Sequence, residues 1–126
     1  MEKAVSDARR RQAHALATAF VETLDRRDPV ALQRDWAMSP ALAGELVEML
    51  DSYVAAGQAL SLAPLATAFA PGKGARPPVD VYATQGGTLG LECLLLANGR
   101  PAEAILHLEM SGPDDAPRLQ YNYMGS

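Results

Sequence analysis

The side chains with the clearest capacity for chemistry are His107, Glu109 and Glu92, because a carboxylate beside an imidazole can orient the ring for acid–base work. All three fall in the second half of the chain, on segments that read as strands. Asn98-Gly99 sits between two of these segments, and both residues tolerate the positive φ that a two-residue hairpin turn requires. Such a turn pairs Ala97 with Arg100. Stepping outward one residue at a time then sets Glu92 opposite Ile105 and diagonal to His107, within reach of its ring. The ordinary reading of the same three residues is a sheet face in water. His14 reads as a polar-face helix residue, and a two-histidine metal site would need it brought to His107 by the fold. No metal site and no cofactor is therefore expected.

Asp80 and Tyr82 form the second candidate, and their direction depends on the Gln85-Gly86-Gly87 turn. A three-residue closure puts Val79, Val81 and Ala83 inside and sends Asp80 and Tyr82 outward, where Asp80 meets Glu92. A two-residue closure on Gly86-Gly87 reverses this. Asp80 would then point inward, where burial raises a carboxyl pKa and suits it to a general-base role with Tyr82 as hydrogen-bond donor. Hydrophobic patterning favours the first closure. Trp36 and Tyr53 lie on apolar helix stripes as core residues whose polar edges need partners, which also allows them to line a pocket mouth. Cys93 falls among leucines and reads as an inert buried thiol. Gly72-Lys73-Gly74 lacks the spacing and the hydroxyl residue of a phosphate loop and reads as linker. There is no Gly-x-Ser-x-Gly elbow, no His-Glu-x-x-His helix and no dinucleotide glycine fingerprint. Arg9-Arg10-Arg11, flanked by Asp7 and Glu2, reads as a solvated helix face.

The elements that must position these residues divide near 71–78, where Pro-Gly-Lys-Gly-Ala-Arg-Pro-Pro ends a helical half (1–70) and opens an antiparallel meander (79–126), all within one domain of 126 residues. Ala13, Leu16, Ala17, Phe20 and Leu24 recur at three- and four-residue spacing and predict a helix from Ser6 to Asp25. Asp28-Pro29 starts a short second helix carrying Leu32 and Trp36, by a side-chain cap and a proline placed where no amide is needed. Ser39-Pro40 repeats the device for a third helix to about Ala56, with Leu42, Leu46, Met49, Leu50 and Tyr53 on one face and Gly57 as its stop. The segment 60–69 reads both ways, as a strand at Leu60 and Leu62 and as a helical turn from Pro64. Strands are predicted at Val79 to Thr84, Thr88 to Ala97, Ala102 to Ser111 and Arg118 to Met124. On the hairpin of the middle two, Leu89, Leu91, Cys93, Leu95, Ala104, Leu106, Leu108 and Met110 share an unbroken apolar face that the helices must cover. The opposite face carries Leu94, Leu96 and Ile105 beside its polar residues, more apolar surface than a solvated face usually shows, and predicts a dimer interface.

Composition narrows the function classes. Apolar residues at 48% and charged residues at 21% describe a globular chain. The run Cys93 to Ala97 is far shorter than the ~20 residues of a membrane helix. Met1 to Arg11 carries no apolar stretch before a cleavage site, and one cysteine forbids an internal disulfide, so the expected location is cytoplasmic, away from any membrane. A net charge of −4 argues against nucleic acid.

Helices followed by a curved antiparallel meander, with the opening Ala19-Phe20-Val21-Glu22-Thr23-Leu24-Asp25-Arg26-Arg27-Asp28-Pro29-Val30-Ala31-Leu32, resemble the nuclear-transport-factor-2-like superfamily. The resemblance implies an α+β, cone-shaped, cystatin-like fold, homodimers packed through sheet faces, and a pocket between helices and sheet. It names no single function, since that superfamily holds enzymes and binding modules alike. The expected function is a small cytosolic binding or accessory module with a mostly apolar interior, lined by Trp36, Tyr53, Leu91, Cys93, Leu106 and Leu108, that takes an apolar ligand or a protein partner. The alternative is an isomerase- or cyclase-like enzyme acting on an apolar carbonyl substrate with Asp80 as general base.

Overall fold

In a computed structural model, residues 5–71 and 76–125 are described. The Gly72-Lys73-Gly74 linker lies outside them. Helix α1 (Asp7–Asp25) begins where the Ser6 hydroxyl accepts from the Arg9 amide at 3.2 Å, and it buries Ala13, Ala17, Phe20, Val21 and Leu24. Its stripe is the predicted one, with Leu16 only partly covered. Helix α2 (Pro29–Trp36) opens on the Asp28 carboxylate, which accepts from the Val30 amide at 2.9 Å, and it buries Ala31 and Leu32. Helix α3 (Pro40–Leu50) opens on Ser39, whose hydroxyl accepts from Leu42.

Helix α3 stops six residues short of the expected end. Past Leu50 the amides of Asp51, Ser52 and Tyr53 turn back to carbonyls three residues earlier, a tighter winding that satisfies the last carbonyls of the helix. Asp51 and Ser52, whose side chains compete for backbone groups, stand where the regular helix ends. The ambiguous segment 60–69 proves to be both of its readings in succession: a two-residue strand β1 (Leu60–Ser61), then helix α4 (Leu65–Ala68) following Pro64.

Strands β2 (Val79–Ala83), β3 (Leu89–Ala97), β4 (Arg100–Ser111) and β5 (Arg118–Gly125) complete an antiparallel sheet. Its order is β1-β3-β4-β5, and β2 pairs with β3 beyond β1. N-terminal helices on an antiparallel sheet make this an α+β fold. The β2–β3 hairpin closes on three residues, with Gly87 at φ +84, so Val79 and Val81 face the core.

The β3–β4 register corrects the expected one. Ala97 pairs with Arg100 and Leu96 with Pro101, as the turn dictates, but Leu94 then pairs with Ile105 and Glu92 with His107. Strand β4 takes two extra residues opposite Leu95, where Glu103 adopts φ +60. Because the insertion is even, the face assignment survives: Leu91, Cys93, Leu95, Ala104, Leu106, Leu108 and Met110 are all at most 1% exposed. A second irregularity skips Asn122 in β5, so that Tyr121 and Met124 stay inside while Tyr123 turns out.

The buried side chains form one cluster joining the helices to the inner sheet face. The C-terminal end of α1 and the turn that follows fasten it to the sheet: Asp25 Oδ1 accepts from the Leu60 amide at 2.8 Å, and Arg27 donates to the Gln58 carbonyl at 2.7 Å. Asn98 completes the fastening. Its amide donates to the Ala59 carbonyl and its side-chain oxygen accepts from the Ala59 amide, each at 2.8 Å, so one residue serves both the hairpin turn and the clamp on β1. No described helix is long and apolar enough to cross a membrane.

Candidate functional site on the outer sheet face

The residues with chemical capacity collect on the sheet face turned away from the helices. Asp80, Glu92, His107 and Tyr123 form one row across β2, β3, β4 and β5, each the direct cross-strand neighbour of the next. Glu92 Oε1 stands 3.6 Å from His107 Nδ1, and the other Glu92 oxygen accepts from the Arg76 guanidinium. The His107 ring stacks on Tyr123, with centroids 4.0 Å apart and planes 11° from parallel. Stacking fixes the ring and points one nitrogen at the carboxylate. At 3.6 Å the pair is longer than a hydrogen bond and attracts as an ion pair when the ring is protonated.

The adjacent row adds Tyr82, Gly90, Glu109 and Gln120. The Tyr82 ring lies over Gly90 so closely that a Cβ there would fall 2.4 Å from it, which gives the glycine its reason. Glu109 accepts from the Thr88 hydroxyl at 3.0 Å and from Asn122 at 3.5 Å. Partial burial, and then the charges of Glu92, Tyr123, Asp80 and Glu109, push the Tyr82 phenol above its ordinary range. Tyr82 and Tyr123 are nonetheless 41% and 57% exposed, so the face offers two open phenol rings set among three carboxylates.

The inward alternative for Asp80 and Tyr82 is not what the chain adopts. Both point outward, because the three-residue turn spends the inward positions of β2 on Val79 and Val81. Leu91, Cys93, Leu106 and Leu108, expected to line a pocket, are packed as core at no more than 1% exposure. Burial, with a smaller contribution from the Glu92 charge, pushes the Cys93 thiol up to about 12. Trp36 is half-buried, with its indole N–H donating to the Thr23 hydroxyl at 3.0 Å and its ring set edge-on to Phe20. Tyr53, also half-buried, lines an open polar groove of about 640 Å³ with Gln58, Asn98, Arg100 and Glu103. Leu94, Leu96 and Ile105 are half-buried on the outer face, beyond the Glu92–His107 row.

His14 is occupied elsewhere, its Nε2 lying 2.8 Å from the Ala63 carbonyl and its ring edge-on to Phe69. Among the described residues no three His, Cys, Asp or Glu side chains gather where they could hold a metal ion. Sequence reasoning missed Arg76, which lies in the linker stretch, and Tyr123, whose direction depends on the skip at Asn122. The Tyr82–Gly90 pairing was available from the three-residue turn.

Comparison with protein-family models, with curated proteins and with solved structures finds no match for the chain.

Proposed function

We propose that the chain is a small cytoplasmic binding or accessory module on a nuclear-transport-factor-2-like plan, acting as a homodimer through the apolar end of its outer sheet face, at Leu94, Leu96 and Ile105. The observation that carries this reading is the composition of that face, where half-buried Leu94, Leu96 and Ile105 adjoin the row from Asp80 to Tyr123 while the helices pack on the other side. Burying the apolar end is favourable at roughly 25 cal/mol per Å², before the costs of association. The interior supports packing rather than proton transfer: Thr23 is the buried polar residue among the described ones, and Asp80 stands outside. Recognition therefore falls to the surface. A single buried thiol suits a reducing compartment.

Sedimentation equilibrium at micromolar concentration tests the assembly. The wild type should be dimeric and Leu96→Glu monomeric with an unchanged circular dichroism spectrum. A wild type that is monomeric at that concentration removes the reading.

A further inference from the structure

We propose that the polar end of the outer sheet face, between Tyr82 on β2 and Tyr123 on β5, binds an arginine side chain presented by a protein partner. The inference rests on the reading of the chain as a binding module and names the chemistry that the module recognises.

Three features of the face point to a guanidinium. Tyr82 on β2 and Tyr123 on β5, the latter stacked on His107 of β4, supply substantially exposed aromatic rings at the two sides of the face, and the planar guanidinium stacks on such rings. Around them stand carboxylates from three strands, Asp80 on β2, Glu92 on β3 and Glu109 on β4, which match the fork of donors that arginine offers. Finally, the chain's own Arg76 already lays its guanidinium on Glu92, while its side chain remains 69% exposed. A guanidinium is thus seated on the face, through one carboxylate, on a side chain that lies mostly in water. A hold that slight can be exchanged for an arginine from outside.

The charge balance favours a cationic occupant. The chain carries a net −4, and among the described residues this end of the face sets three carboxylates against Arg76 and His107, with Arg118 one row further along β5. The form of the site fits a side chain rather than a free small molecule. Among the described residues it is an open platform two rows wide, without walls to enclose a ligand, so the partner's backbone must bring the arginine to it. A lysine would find the carboxylates but would lose the planar stacking and the paired donors.

Nuclear magnetic resonance titration of the 15N-labelled chain with N-acetyl-arginine amide tests this directly, with N-acetyl-lysine amide as comparator. Saturable shifts are expected at Tyr82, Glu92, His107 and Tyr123, with the arginine compound bound about tenfold more tightly than the lysine one. Glu92→Gln and Tyr123→Ala should each weaken binding severalfold while the rest of the spectrum stays in place. Arg76→Ala should tighten binding severalfold, because it removes the internal competitor. Shifts that never saturate, equal affinity for lysine, or an Arg76→Ala variant that binds no better would each overturn the proposal. A chain that sediments as a dimer yet ignores arginine defeats this inference and leaves the proposed function standing.

Discussion

Glu92 and His107 face each other directly across β3 and β4, with Oε1 and Nδ1 3.6 Å apart, and this meeting depends on two residues that β4 takes in around Glu103. A regular hairpin from Asn98-Gly99 would have put Ile105 opposite Glu92. The irregularity therefore brings the imidazole, stacked on Tyr123, to the carboxylate that also holds Arg76. It does so with a non-glycine residue in the left-handed region, a conformation that costs roughly 1–2 kcal/mol for most side chains.

That conformation sets the first prediction. Glu103→Gly should stabilise the fold by about 0.5–1 kcal/mol, the left-handed cost less the extra chain entropy of glycine. Glu103→Val should destabilise it, since a β-branched side chain tolerates positive φ least. Urea unfolding of both variants measures this. Two variants of equal stability would show that the β4 irregularity does not require the left-handed conformation.

The difference between the readable and the unreadable parts follows from the range over which each is decided. Helix starts at Ser6, Asp28 and Ser39 are written in one side chain and the amide it caps, and they lie where the sequence places them. The inward set Leu91, Cys93, Leu106 and Leu108 is equally legible, because strand alternation survives an even insertion. The register between Glu92 and His107 is not local. It depends on Glu103 taking a backbone state that side-chain type does not announce. Tyr123 reaches the site only through that register and the skip at Asn122, whereas Arg76 comes to Glu92 from the stretch before β2.

The two sheet faces should respond differently to truncation. Leu106→Ala and Leu91→Ala remove fully buried side chains and should each cost about 2–5 kcal/mol. Tyr82→Ala, on the outer face, should cost clearly less, although it uncovers the backbone at Gly90. Chemical denaturation of the three variants measures the contrast, and equal costs would place the core on the wrong side of the sheet.

Trp36 is the single tryptophan and reports on its own hydrogen bond. Thr23→Val keeps the volume but removes the hydroxyl that accepts from the indole N–H at 3.0 Å. Leaving that half-buried donor without a partner should cost about 1–3 kcal/mol, and the intrinsic fluorescence maximum should move in the native state. An unchanged spectrum together with unchanged stability would show that the bond is made to water instead.

Alkaline unfolding offers the last test, because two buried acids hold their protons above the ordinary range. Burial, and then Glu92, raises the Cys93 thiol from 9.0 to about 12, and burial, followed by Glu45, raises the Tyr121 phenol from 10.0 to about 12. In the unfolded chain both would ionise near their ordinary values, so between those values and about 12 the unfolded state binds fewer protons than the folded one. Stability from these groups is therefore fully present below pH 9 and is lost as pH rises toward 12. Urea midpoints measured from pH 7 upward should begin to fall near pH 9 and fall more steeply past pH 10. Cys93→Ala should lower stability at every pH through the cavity it leaves, yet remove the first part of the decline, while the part belonging to Tyr121 persists. A decline of the same shape in wild type and Cys93→Ala would mean that the thiol is not the group that ionises on unfolding. In the folded wild type the same burial should keep a thiol reagent from Cys93, so that labelling proceeds only as fast as the sheet opens.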